Sequence, residues 1–138
     1  MVIITEMGRV IGCTLEIDQV YERMVAELGK RILFDSLMVN MIDARQEMLT
    51  VAYVYGLDIS GRKVGESYPV RGTIMEEVIR TRRGLIIQSD NPEDLVEKFP
   101  SLIVSVRSGM RSIMAVPLIS RDKLIGNLIL RSKKPNAY

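Results

Sequence analysis

Gly109-Met110-Arg111-Ser112-Ile113-Met114-Ala115-Val116-Pro117-Leu118-Ile119, then Ser120-Arg121-Asp122-Lys123, then Leu124-Ile125-Gly126-Asn127-Leu128-Ile129-Leu130, is the stretch that decides the architecture. Residues 113–119 and 124–130 are rich in β-branched and aliphatic side chains. The polar segment between them is short enough for a tight reversal, so they read as two antiparallel strands. Neither run alternates between polar and apolar positions. Successive side chains of a strand point to opposite faces, so a continuous apolar run requires cover on both.

The rest of the chain supplies that cover. Residues 16–33 place Ile17, Val20, Tyr21, Met24, Val25, Leu28 and Ile32 on one stripe, with Glu22, Arg23, Glu27 and Lys30 opposite, which predicts an amphipathic helix. Residues 2–12 predict an earlier helix, with Ile3, Ile4, Met7, Val10 and Ile11 at helical spacing. Residues 36–42 and 48–55 read as a hairpin across the polar turn 43–47, stopped by Gly56. A loop over 57–72 follows, locally extended at Tyr68-Pro69-Val70.

A short helix over 73–83 is announced by Thr73 and Glu76, which have the spacing of a capping box. Arg80, Arg82 and Arg83 complement its C-terminal dipole, and Gly84 is suited to a left-handed stop. Residues 85–88 read as a short buried strand. Asn91 and Pro92 fit N-cap and N1 of another helix, which Pro100 interrupts, Ser101 re-caps and Gly109 ends. The sum is α+β: an α/β/α sandwich with a central, mainly antiparallel sheet of about five or six strands and helices on both faces. One domain spans 1–138, divided into N-terminal helices (1–33), sheet and capping helices (35–132) and the start of a C-terminal connector (133–138).

Composition narrows the function. The chain has 138 residues, 47% hydrophobic and 26% charged, with no Trp and nine Met, so an aliphatic core filled out by methionine is expected. A formal charge of +2 with interspersed signs argues against a nucleic-acid surface. There is no His, which removes histidine bases, histidine metal ligands and histidine-ligated haem. The lone Cys13 cannot build an intramolecular disulfide or a multi-thiolate metal site. No run approaches the roughly 20 apolar residues of a membrane span, and Glu6 and Arg9 break any signal-peptide pattern, so a cytoplasmic protein without membrane insertion is expected.

The order helix, hairpin, loop, short helix, strand, helix, hairpin is similar to that of the GAF domain, and specific stretches carry the resemblance. Residues 15–21 resemble the start of the family's long helix, residues 35–39 its first strand, and Gly65-x-x-Tyr68-Pro69-Val70-x-Gly72 its pre-helical loop. The Gly-x-Arg-Ser turn at Gly109, the apolar-Pro-Leu strand at Pro117 and Ile-Gly-x-Leu at Gly126 complete it. The likeness covers nearly the whole chain.

The resemblance implies a GAF/PAS-like fold and a non-enzymatic sensory module of a cytoplasmic signalling protein, such as a sensor histidine kinase in a two-component system. It implies a covalently attached output domain, with residues 133–138 standing where the family begins a connecting helix. It also implies a pocket between one sheet face and the capping helices. Carried over by position, its wall is Met38, Asn40, Tyr53, Tyr55, Thr73, Ile74, Phe99, Ile103, Val106, Met110, Ser112 and Met114.

That set is mostly apolar and suits a small apolar or aromatic ligand, or a pocket packed shut in a purely structural dimerisation module. Phosphate, and with it a cyclic nucleotide, lacks donors among Ile103, Val106 and Met110. Bilin attachment needs a pocket cysteine beside a histidine, and the methionine-sulfoxide-reducing members rely on several pocket cysteines; neither set exists here, so no cofactor is expected. A homodimer through the N- and C-terminal helices is expected from the apolar stripe over 3–11 and from Gly8 and Gly12. Asn40, alone in an apolar strand, either contacts a ligand or is satisfied by neighbouring groups. Arg71, Arg107 and Arg111 read as surface charges with anion binding as the alternative.

Overall fold

The computed structural model describes residues 17–56, 63–88 and 91–138. The expected first helix over 2–12, with Gly8, Gly12 and Cys13, lies outside them. Helix α1 (Ile17–Gly29) is followed by strands β1 (Ser36–Ile42), β2 (Met48–Gly56) and β3 (Ser67–Pro69). Then come α2 (Ile74–Thr81), β4 (Leu85–Gln88), α3 (Pro92–Lys98), a 3₁₀ turn (Pro100–Leu102), α4 (Ile103–Arg107), β5 (Ser112–Ser120) and β6 (Lys123–Ser132). All strand pairs are antiparallel, in a single six-stranded sheet ordered β3-β2-β1-β6-β5-β4.

The central hairpin is covered twice, as its apolar continuity requires. On one face Val20, Tyr21, Met24 and Leu28 of α1 pack on Leu37, Val39, Met114, Val116, Leu118, Leu128 and Leu130. On the other, Ile74, Met75 and Val78 of α2, with Phe99 and Leu102, pack on Leu49, Ile113, Ala115, Leu124 and Ile129. We call these the helix face and the cap face. α1 ends four residues before the expected Leu33: Ile32 N–H closes on the Leu28 carbonyl at 2.8 Å, and Leu33 is exposed.

Local signals act with some displacement. Thr73 caps α2, but its hydroxyl oxygen accepts from Met75 N–H at 3.1 Å, while Glu76 accepts from Gly72 N–H at 2.5 Å. The reciprocal bonds of a capping box are therefore present, each moved by one residue. The left-handed stop of α2 is Arg82 (φ 54), whose N–H reaches the Val78 carbonyl, and not Gly84. Ser101 makes no capping bond; Pro100 opens the 3₁₀ turn from Phe99 instead. Asn91 does cap α3, accepting from Glu93 N–H, and Gly109 (φ 91) ends α4.

Gly126 sets the closest approach in the sheet. A Cβ there would lie 2.0 Å from the Asn40 carbonyl oxygen, so only glycine lets β6 lie against β1 at this point. The Ile-Gly-x-Leu pattern thus has a steric cause.

Candidate functional site

The cap face carries the buried side chains of Ser36, Asn40, Asn127 and Arg131. In the β1–β6 ladder Ser36 stands opposite Arg131, Met38 opposite Ile129 and Asn40 opposite Asn127. Directly opposed residues share a face, so two polar pairs flank the apolar Met38–Ile129 pair on this face. Asn40 Nδ2 donates to Asn127 Oδ1 at 2.8 Å, and Asn127 Nδ2 lies 3.2 Å from the Met75 sulfur. Both asparagines are fully buried. A chain of side-chain contacts therefore runs from β1 through β6 to the capping helix.

Between α2 and the sheet lies a void of about 20 Å³, walled by Thr73, Ile74 and Met75 of the cap, Ser101 and Leu102 of the 3₁₀ turn, and Leu49, Tyr68, Asn127, Ile129 and Arg131. That is room for about one water molecule. The wall also carries the guanidinium of Arg131, a cation with donors and no acceptor. Arg131 is only 5% exposed. None of the described lining residues is acidic.

The structure brings together some of the expected pocket residues and separates others. Thr73 and Ile74 line the void; Met38 and Asn40 lie on the cap face, and Phe99 is in the cap cluster. Ile103 and Val106 are half-buried on α4 and Met110 is buried ahead of β5, none of them at the void.

Tyr53, Tyr55, Ser112 and Met114 belong to the opposite face. Tyr53 stacks on Tyr21 of α1 with ring centroids 4.9 Å apart, and Tyr55 sits edge-on to Phe34 at 6.1 Å. Tyr55 lines an open groove of about 430 Å³ beside the end of α1. Met114 packs under α1, and the Ser112 hydroxyl donates to the Lys134 carbonyl and accepts from Ala137 N–H.

The tyrosines are displaced by a β-bulge. Asn40 pairs with Val51 but Val39 pairs with Tyr53, leaving Ala52 without a β1 partner. An uninterrupted ladder would have set Tyr53 opposite Met38; the extra residue turns both tyrosines to the helix face.

Sequence reasoning missed Arg131 and Asn127. Both share the parity of Ile129 on β6, so alternation within one strand was the signal available. Arg111, by contrast, is occupied structurally, its guanidinium donating to the Val106 and Met110 carbonyls, and Arg71 is exposed. Among the described residues no group of acidic, cysteine or histidine side chains converges to hold a metal, and no helix is long and apolar enough to cross a membrane.

On the helix face the C-terminal segment is strapped to the sheet. Gln88 Nε2 donates to the Tyr138 carbonyl oxygen at 2.6 Å, and Lys133 N–H donates to Asp35 Oδ2 at 2.7 Å. Burial, helped by the nearby Asp35 carboxylate and opposed by Arg131, pushes the Tyr138 phenol up to about 12.

The fold is shared with solved GAF domains. The GAF domain of a two-component sensor histidine kinase from Bacillus halodurans matches with a TM-score of 0.68 and 16% identity, covering 88% of this chain and 79% of that one. Free methionine-R-sulfoxide reductase from Neisseria meningitidis matches at 0.67 with 17% identity, over 96% and 72%. A Staphylococcus aureus NreA protein mutated in its nitrate-binding site matches at 0.61 with 17% identity, over 86% and 88%. No curated protein sequence matches. The sequence profile described as "GAF domain" matches residues 14–138, and the chain belongs to the GAF domain family.

Proposed function

We propose that this chain is a non-enzymatic sensory module of a signalling protein, such as a sensor histidine kinase, and that occupancy of the cap-side cavity sets its state. GAF domains are regulatory modules found in histidine kinases and other signalling proteins. The observation that carries the finer reading is the buried contact chain Asn40–Asn127–Met75. A thioether is a weak acceptor, so a guest with a better acceptor displaces Met75 from Asn127 and moves α2.

The same strands carry the response onward. Leu37 and Val39 of β1, and Leu128 and Leu130 of β6, contact α1 and alternate with the cap-face residues. A shift of the strands therefore reaches α1 and the C-terminal strap, from which terminal helices in a homodimer would pass it to an output domain. The guest biases this equilibrium only by its unequal affinity for the two states.

The size of the void favours a small, polar guest over the aromatic one that an apolar wall suggests. The methionine-R-sulfoxide reductase shares the fold, yet members of that kind draw on several pocket cysteines and this chain has one cysteine. A second reading, a structural dimerisation module whose cavity stays empty, is favoured by the same small volume. Native mass spectrometry of freshly purified protein separates the two. A retained small mass, whose re-addition raises the melting temperature, is expected. A bare mass, with no stabilisation across a metabolite screen, overturns the sensory reading.

A further inference from the structure

We infer that the guest is a small anion of the carboxylate or oxyanion class, with Arg131 as its counter-ion; this rests on the sensory reading above. Arg131 reaches the cavity because it shares the β6 parity of Asn127 and Ile129. The strand thereby delivers a permanent cation to the underside of a cap that offers no acidic side chain among its described lining residues. An anion entering this low-dielectric space gains a charge-assisted, planar, two-pronged contact of the kind guanidinium makes with carboxylates and nitrate-like groups.

A second observation points to the same occupant. Ser36 stands directly across the ladder from Arg131, fully buried, and its hydroxyl has no hydrogen-bond partner. A buried hydroxyl left in that state is costly. An acceptor atom held by Arg131 on this face gives it one. Asn127 Nδ2, engaged only with a sulfur, is a further donor.

Size dictates the consequence. The void holds about one water, so a formate- or nitrate-sized anion enters only as Met75 leaves Asn127. Binding and displacement of α2 are then one event.

The test is a nuclear magnetic resonance titration of the isotope-labelled chain with sodium formate, acetate or nitrate at fixed ionic strength, beside acetamide, the uncharged match to acetate. The expected result is a saturable shift of the Asn127 side-chain amide and of the Ser36 and Ile74 amides, at about millimolar anion. Acetamide and the R131Q variant should each weaken the effect about tenfold or more. Equal binding of acetate and acetamide, equal affinity in a folded R131Q, or no saturable shift at these residues overturns the inference. The acetamide comparison uses the unaltered chain and stands even if R131Q does not fold. A neutral molecule retained in native mass spectrometry, with no anion response, would remove the anion and leave the sensory reading standing.

Discussion

Asn40 and Asn127 face each other across the centre of the sheet, the Nδ2 of one 2.8 Å from the Oδ1 of the other, both sealed from solvent beneath α2. Truncating one partner strands the other's polar atom, whereas replacing both removes the polar demand together. N40A should cost about 1–3 kcal/mol in denaturant unfolding. The N40L/N127L pair should cost clearly less than the sum of its single variants. Additive costs would show that the two amides are not coupled.

Gly126 makes this arrangement sterically possible. G126A places a methyl group against the Asn40 carbonyl, 2.0 Å from its oxygen, and must push β6 off β1. A loss of about 3 kcal/mol or more is expected. Gly84 is the control: its added Cβ would meet the Ala115 oxygen at an ordinary 3.5 Å, so G84A should stay within about 0.5 kcal/mol of the parent.

The turn between β5 and β6 offers the opposite sign. Arg121 (φ 51) and Asp122 (φ 63) both occupy the left-handed region, the geometry of a type I′ hairpin that asparagine and glycine fit best. R121N/D122G should raise stability by about 1 kcal/mol, read as a higher denaturant midpoint with an unchanged slope. The Arg82 contact to the Asp122 backbone carbonyl survives this change because no side chain of the turn is involved.

Tyr138 ties the C-terminal segment to pH. Its folded pKa of about 12 lies above the ordinary 10, so the folded state holds the phenol proton more tightly than the unfolded one. The stability this contributes is whole below pH 10 and is lost as pH rises through 12. Y138F should therefore be less alkali-sensitive, and one late tyrosinate step should vanish from its ultraviolet titration. At neutral pH the variant should be no less stable, since the phenol oxygen it removes is buried without a hydrogen-bond partner.

What could be read from the residues follows from which forces are local. The bounds of β1 and β4, the break at Pro100 and the stop at Gly109 were legible because strand propensity, a missing N–H and a left-handed glycine act within a few residues. Two-sided cover was legible from the unbroken apolar character of the last hairpin. Which face each strand residue takes was not, because a single extra residue, Ala52, reverses the parity of everything beyond it and is chosen by pairing with β1. Arg131 was overlooked for a related reason. It lies one position past the apolar run 124–130, and only the ladder that sets it opposite Ser36 shows that it is inside.

In the proposed mechanism the cap-side cavity and the helix face respond as one unit. That coupling is tested most directly by mapping amide shifts in the isotope-labelled chain at saturating acetate or nitrate, or with whatever small molecule native mass spectrometry finds retained. Coupled faces should give changes that spread from Met75 and Asn127 through β1 and β6 to Tyr21 and Met24 of α1 and to Tyr138. Changes confined to the cavity wall, with α1 and the C-terminal segment silent, would contradict it.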